Sequence, residues 1–331
     1  MKKNRNIKTK DFVLKELEAN RGEFIRGEEL GKALGISRAA IWRAIKTLQD
    51  RGYDIECRTN RGYSLSVNGG ILSEEGIKKY IFDDEVNITV LDEVGSTNDV
   101  IKQLAGLSAP EWTVVAARKQ TGGKGRMGRT FESPADNGIY MSILLRPTIS
   151  PADSVKITTL ASVAVAKAIE EYGKQCEIKW VNDIYVNSKK VCGILTESGI
   201  NAQNGTLDYA VLGIGLNVSE KGLSDELKEI AGGIGLIRKH DVKNKLAASI
   251  IKKLKELYGQ IGSDEIYEEY RSRSLVIGKE VSFFHLGELM SGRAVDITPD
   301  YALTVETSDK KTLHLNSGEV SIKVTHAQTE E

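Results

Sequence analysis

The densest chemistry in the chain lies in ten residues, Gln120-Thr121-Gly122-Gly123-Lys124-Gly125-Arg126-Met127-Gly128-Arg129. Four glycines, one lysine and two arginines follow a β-prone run at 113–117. Glycines let backbone N–H groups approach an anion closely, and the cations supply charge where negative charge develops on phosphate. The Gly-Lys-Ser/Thr that ends a Walker loop is missing, and the spacing of the nicotinamide fingerprint G-x-G-x-x-G is not met. Glycines alone suit any flexible connection. With Lys124, Arg126 and Arg129 inside six residues, anion binding is the stronger reading.

Other polar groups are ordinary taken singly. Ser96 or Thr97 suits the cap of a following helix. Asn182-Asp183 suits a turn before Ile184-Tyr185-Val186, and Lys190 suits a solvated lysine at a strand start. Cys57, Cys176 and Cys192 lie far apart, which indicates neither a metal site nor a disulfide framework. A reducing cytoplasm is the expected compartment. No apolar run approaches the roughly 20 residues that cross a bilayer, so no membrane partner is expected. The polar, basic start lacks the apolar middle of a secretory signal.

These groups need elements to hold them, and 331 residues call for two or three domains. Residues 1–66 hold 15 Lys and Arg against 9 Asp and Glu, and the remainder holds 31 against 37. The zero net charge therefore hides a basic N-terminal module on an acidic body, a distribution suited to a phosphate backbone. Thr9 can cap a helix reaching about Ala19; a second helix fits 27–34, with Gly35-Ile36 as a tight turn. Ser37 then caps a third helix to about Asp50, with Ile41, Ile45 and Leu48 inward. Helix, turn and helix leave Ser37, Arg38, Ala39, Trp42, Arg43 and Lys46 facing away from the seam, where a recognition helix reads DNA. Alternation at 53–57 and 63–67 predicts a hairpin with Arg58 and Arg61 near its tip, hence a wing.

Asn68-Gly69-Gly70 reads as a linker between modules that fold independently. Residues 71–270 mix strands near 88–91, 113–117, 138–145, 177–180, 190–197 and 209–217 with amphipathic helices at 155–172 and 245–258. That pattern predicts a mixed sheet with helices against it. Residues 274–325 carry short strands separated by turns, which predicts a small β-barrel. The expected fold class is α+β multidomain: an N-terminal winged helix-turn-helix, a central α/β mixed-sheet domain and a C-terminal barrel.

The glycine-rich loop resembles the Gly-Arg-Gly-Arg-x-Gly-Arg signature of bacterial biotin–protein ligases. Other marks of that family occur in order. Ser96-Thr97-Asn98 matches its Ser-Thr-Asn, and Lys179-Trp180-Val181-Asn182-Asp183 its Lys-Trp-Pro-Asn-Asp. Lys190-Val191-Cys192-Gly193-Ile194-Leu195 resembles its Lys-x-x-Gly-Ile-Leu, and Gly213-Ile214-Gly215-Leu216-Asn217 its Gly-Ile-Gly-x-Asn. With the helix-turn-helix in front, the resemblance is to the long bifunctional class and covers nearly the whole chain.

The resemblance implies an ATP-dependent ligase that makes biotinyl-5'-AMP, with ATP and biotin as substrates and Mg²⁺ accompanying ATP. It implies transfer of biotin to a lysine of the biotin carboxyl carrier protein or domain of a biotin-dependent carboxylase. Ser96, Thr97, Asn98, Gln120, Lys124, Gly125, Arg126 and Lys190 match positions that bind biotin; Gly123, Lys124, Arg126 and Arg129 match the phosphate and adenylate loop. Arg126, Asp183 and Lys190 are the implied catalytic groups, and residues 219–235 resemble the stretch that folds over the adenine. The resemblance also implies operator DNA as a partner, repression of biotin synthesis genes and a homodimer promoted by biotinyl-5'-AMP. Departures are Lys124, Met127, Phe131 and Val181. Lysine at 124 keeps the charge and loses the bidentate fork, Met127 removes a cation, and Val181 leaves its turn less rigid than proline. A lipoate-type ligase and a sensing repressor without catalysis are the rival readings; the loop argues against the first, and intact Arg126, Asp183 and Lys190 against the second.

Overall fold

A computed structural model describes residues 9–67, 70–201, 205–236 and 240–322. The first module is α1 (Thr9–Ala19), α2 (Gly27–Leu34), α3 (Arg38–Asp50), β1 (Ile55–Arg58) and β2 (Gly62–Leu65). Gly35 ends α2 at φ 67°, and the Ser37 hydroxyl accepts the Ala40 N–H at 3.3 Å to start α3. The turn crosses so close to α2 that a Cβ on Gly31 would sit 2.9 Å from the Ile36 carbonyl oxygen. Val13, Leu14, Leu17, Leu30, Ile41, Ile45 and Leu48 bury together with Tyr53, Ile55 and Leu65. The strands β1 and β2 form an antiparallel hairpin, the expected wing.

The central module contains α4 (Glu74–Lys78), β3 (Asn87–Leu91), α5 (Thr97–Gly106), β4 (Thr113–Ala117), β5 (Gly138–Leu145), α6 (Val155–Glu170), β6 (Glu177–Lys179) and β7 (Asp183–Val186). It continues with β8 (Lys189–Ile200), β9 (Leu207–Asn217), α7 (Asp225–Ile230), α8 (Val242–Tyr258) and α9 (Asp264–Ser272). Seven strands form one mixed sheet in the order β3-β4-β5-β9-β8-β7-β6, with only β3 and β4 parallel. Every residue of β5 is buried, as a strand covered on both faces requires. Ile139, Met141, Ile143 and Leu145 share a core with α6 and α8, whereas Leu144 packs with Ile101 and Ala105 of α5.

The last strands are β10 (Glu280–His285), β11 (Glu288–Ile297), β12 (Leu303–Thr307), β13 (Thr312–Leu315) and β14 (Val320–Ile322). The expected barrel is not closed among the described residues. The sheet runs β13-β12-β11-β10-β14 and is open, with β13 and β14 as its two edges. A barrel closes only when its outer strands pair, and here those strands offer four and three residues and no bond to each other. Among the described residues no helix is long and apolar enough to cross a membrane.

Two residues of the expected linker, Asn68 and Gly69, lie outside the described residues. The chain from Ile71 onward is not a free tether. The Arg118 guanidinium donates to the carbonyls of Leu72 and Arg51 and to the Tyr53 hydroxyl, and the Asn244 amide donates to the Ile71 carbonyl. Beside them sits a buried charge cluster. Asp241, fully buried, lies 3.5 Å from Arg21 of the first module and 3.1 Å from Lys79, and it accepts from Tyr80 and Asn244. Glu18 closes the cluster through Arg21 at 2.6 Å and Lys79 at 3.3 Å. The modules are thus in contact through largely desolvated charge. Removing one member of such a cluster strands the others, at a cost of about 3–5 kcal/mol. Asp241→Ala is expected to lower unfolding free energy by that amount in urea denaturation; a loss below about 1 kcal/mol would show that the cluster is not a structural joint.

Candidate active site

One cleft opens above the ends of β8 and β9. It is lined by Ser96, Thr97, Asn98, Gln120, Lys124, Gly125, Arg126, Arg129, Asp183 and Lys190, all singled out from sequence. Gly123 does not line it. That glycine is buried behind the loop, where a Cβ would stand 2.3 Å from the Phe131 carbonyl oxygen. The cleft also holds residues that motif reading did not assign a role, among them Lys179, Phe131, Glu319 and Val320.

The polar floor is built by mutual constraint. The N-cap Ser96 makes no side-chain capping bond. Instead Gln120 Oε1 accepts from the Thr97 amide at 2.9 Å and its hydroxyl at 3.1 Å, while Gln120 Nε2 donates to Ser133 at 2.9 Å. Ser142 Oγ lies 2.7 Å from Thr97 Oγ1 and 2.5 Å from Asn98 Oδ1, its single hydrogen serving one at a time. Asn98 Nδ2 donates to Glu197 at 2.7 Å, and Lys102 holds the other oxygen of Glu197 at 2.5 Å. Both amides are therefore oriented before any ligand arrives. Ser142, Ser133, Lys102 and Glu197 escaped the sequence reading; a small hydroxyl inside the otherwise apolar run of β5 was the available signal for Ser142.

Glycines bring side chains down onto the sheet. A Cβ on Gly213 would fall 2.3 Å from Asn98, and one on Gly215 would fall 2.6 Å from the Phe131 ring, which also covers Gly193. The loop itself is closed by Gly125 N–H to the Arg129 carbonyl at 2.7 Å and Phe131 N–H to the Gly123 carbonyl at 2.9 Å. At its tip Met127 adopts φ 54°, followed by Gly128 at 75°.

Each loop cation already has a partner. Lys124 meets Asp99 at 2.5 Å, and that hydrogen bond holds its ammonium pKa above the ordinary lysine value. Arg129 meets Glu319, the residue before β14, at 2.6 Å, and Arg126 donates to Asn182 Oδ1 at 3.2 Å. Asn182 is locked in turn to Ile194 by two bonds, 2.8 and 3.0 Å. Across the β7–β8 pair, Lys190 Nζ stands 2.7 Å from Asp183 Oδ1. That oxygen is buried and has no hydrogen bond of good geometry among the described residues, so the contact is charge against charge with acceptor capacity in reserve. Burial, and then Lys190, push the neighbouring Lys179 ammonium below the ordinary lysine pKa. The segment after β9 runs beside this pair: Gly232 N–H donates to the Lys190 carbonyl at 2.9 Å, and Ile234 N–H to that of Asn217 at 3.1 Å.

On the far module, Ser37, Arg38, Ala39, Trp42, Arg43 and Lys46 are all exposed on one helix, Trp42 at 53%. Arg58 and Arg61 of the wing are exposed too and lie over the Phe24 ring, 5.0 and 4.5 Å from its centre. Helix and wing together present cations and one aromatic to solvent.

A family model described as the Biotin/lipoate A/B protein ligase family matches residues 90–217, and one described as an HTH domain matches 9–64. The chain is 35% identical over 316 residues to the Bifunctional ligase/repressor BirA of Bacillus subtilis, covering 92% of this chain and 96% of that protein. It is 31% identical over 251 residues to the protein of the same name from Escherichia coli, covering 73% and 75%. The solved Biotin protein ligase from Aquifex aeolicus in complex with biotin and ATP is similar at TM-score 0.60 and 26% identity, over 72% of this chain and 98% of that chain.

The glycine contacts yield a test of the cleft wall. Gly215→Val drives a side chain into Phe131 and is expected to cost about 1–3 kcal/mol by overpacking. Phe131→Ala in the same chain should recover most of that loss in thermal denaturation, whereas additive losses would mean the two do not touch.

Proposed function

The chain belongs to the bifunctional ligase/repressor branch of the biotin/lipoate protein ligase family, and from that we propose the roles of its residues. It is an ATP-dependent biotin–protein ligase and a biotin-responsive repressor acting in the cytoplasm. The observation that carries the reading is the single cleft in which Arg126 and the Lys190–Asp183 pair face a pre-oriented polar floor. Its three parts are residues 1–66 for DNA, 71–270 for catalysis and 274–325 for the C-terminal sheet.

Ser96, Thr97, Asn98 and Gln120 bind the ureido ring, which wants a few short polar groups in an otherwise apolar slot. Lys190 meets the biotin carboxylate and the α-phosphate. Lys124, Arg126 and Arg129 hold the phosphates of Mg²⁺–ATP, Gly123 only shaping the loop from behind, and Lys124, Gly125 and Arg126 reach the biotin as well. A carboxylate oxygen of biotin attacks the α-phosphorus; the bond to the β-phosphate bridge breaks and pyrophosphate leaves. The lysine amine of the carrier domain then attacks the carbonyl carbon of biotinyl-5'-AMP. AMP leaves, and the proton lost by the amine passes to Asp183, whose Oδ1 has the acceptor capacity for it. Cations bound to carboxylates in the free protein turn to phosphate oxygens when ATP enters.

The deciding experiment is incubation with ATP, Mg²⁺, biotin and a biotin carrier domain, with detection of biotinylated lysine. Transfer of lipoate instead would make the chain a lipoate-type ligase. Arg126→Ala is expected to loosen the adenylate, since a charged bond to phosphate is lost; free biotinyl-AMP then labels unrelated lysines. Clean transfer at the wild-type rate would remove Arg126 from the site.

Ser37, Arg38, Ala39, Trp42, Arg43 and Lys46 contact the major groove, with Arg58 and Arg61 on the flanking backbone. One winged helix covers one half-site, so operator binding uses a homodimer, and biotinyl-5'-AMP is the corepressor that promotes it. Sedimentation and operator titration with and without biotinyl-AMP should show dimerisation and operator affinity rising together. Unchanged values at saturating adenylate would refute the corepressor role.

A further inference from the structure

The turn that carries Asn182 and Asp183 is held from outside the catalytic sheet. Tyr270, in α9, is fully buried and donates its hydroxyl to the Val181 carbonyl at 3.0 Å. Trp180 Nε1 donates to the Tyr301 carbonyl at 2.9 Å, at the turn between β11 and β12. The Tyr270 and Tyr301 rings meet edge to face, 5.4 Å between centres at 82°. Burial raises the Tyr270 phenol pKa well above its ordinary value, so it remains a donor at every working pH; Arg126 and Asp183 are both near enough to act on it electrostatically. Val181 has none of the φ restriction a proline would bring, so the direction of its carbonyl is set by what bonds to it.

We propose that Tyr270 is a positioning residue for the transfer step. It acts through the Val181 carbonyl to hold Asn182 under Arg126 and Asp183 against Lys190. The inference rests on the reading of Asp183 as the acceptor of the amine proton. Tyr270 touches no substrate. Its hydroxyl fixes the turn one residue before Asn182, whose side chain and backbone are fixed on the other side by Ile194. Removing that hydroxyl leaves a buried carbonyl unsatisfied and frees the turn to tilt. A carboxylate displaced by a fraction of an ångström loses its line to the amine.

A neighbour supplies the control. Tyr267 belongs to the same aromatic cluster, 6.0 Å from Tyr301, and donates to the Ile297 carbonyl at 2.7 Å, away from the catalytic turn. Tyr270→Phe and Tyr267→Phe, each in the full chain, would be loaded with biotinyl-AMP and mixed with the carrier domain in single-turnover reactions. Biotin-dependent ATP–pyrophosphate exchange and thermal midpoints would be measured alongside. Tyr270→Phe is expected to slow transfer about tenfold while KM for biotin stays within about twofold, and Tyr267→Phe to leave transfer unchanged. Adding Tyr270→Phe to Asp183→Asn should then cost less than about twofold more, because both remove the same function.

Wild-type transfer by Tyr270→Phe would overturn the inference. So would failure of that variant to load adenylate, an equal loss in Tyr267→Phe, or full additivity with Asp183→Asn. If Asp183→Asn alone transferred normally, the reading of Asp183 would fall and this inference with it. If only Asp183→Asn slowed transfer, the reading would stand and the positioning role of Tyr270 would fail.

Discussion

Side chains lie directly on the backbone of β8 and β9 because three positions there carry no Cβ. Gly193 and Gly215 let the Phe131 ring down onto the strands, and Gly213 lets Asn98 in. That close approach brings the loop after β4, the start of α5 and the catalytic turn within reach of one ligand. With any larger residue at these positions the ring and the amide would stand off the sheet. The polar chain from Gln120 to Glu197 depends on it, since Ser142 reaches Asn98 only from the strand beneath it. Geometry that looks like a binding pocket is here the consequence of missing methyl groups.

Electrostatics then decides what the pocket can hold in the absence of ligand. Cations crowded for two anionic substrates would repel one another in an empty cleft. Asp99, Glu319 and Asp183 each sit at salt-bridge distance from one of them. These pairs are partly exposed and so contribute little to stability. Arg126 differs in having an amide oxygen as its partner, a weaker hold than a carboxylate's.

The interface between the first module and the catalytic sheet obeys the opposite rule. Glu18, Arg21 and Asp241 are nearly or fully buried; Glu18 pairs with Arg21 and Asp241 with Lys79 inside their own modules, and Arg21–Asp241 and Lys79–Glu18 cross between them. Asp241 stands just before α8, soon after the segment that lies beside Lys190.

Much was legible in the residues alone. The periodic stripe of α3, the glycine at the turn, the alternation of the wing and the doubly apolar run of β5 are local signals, set by neighbours a few residues apart, and the folded chain keeps them. The glycine-rich loop and the Asp183 to Lys190 spacing are also local, because the β7–β8 hairpin, which pairs Asp183 with Gly193 and Tyr185 with Lys190, lets the two side chains meet diagonally. What only the tertiary structure decided are contacts with no sequence period: Glu319 on Arg129, Glu197 on Asn98, Tyr270 on Val181, Asp241 on Arg21. Each joins residues far apart in the chain, and each partner looks like an ordinary exposed acid or core aromatic until the fold is known. The barrel expected from strand and turn patterns belongs to the same class. Strand existence is a local property, whereas closure depends on whether the outermost strands meet, and among the described residues they remain the edges of an open sheet.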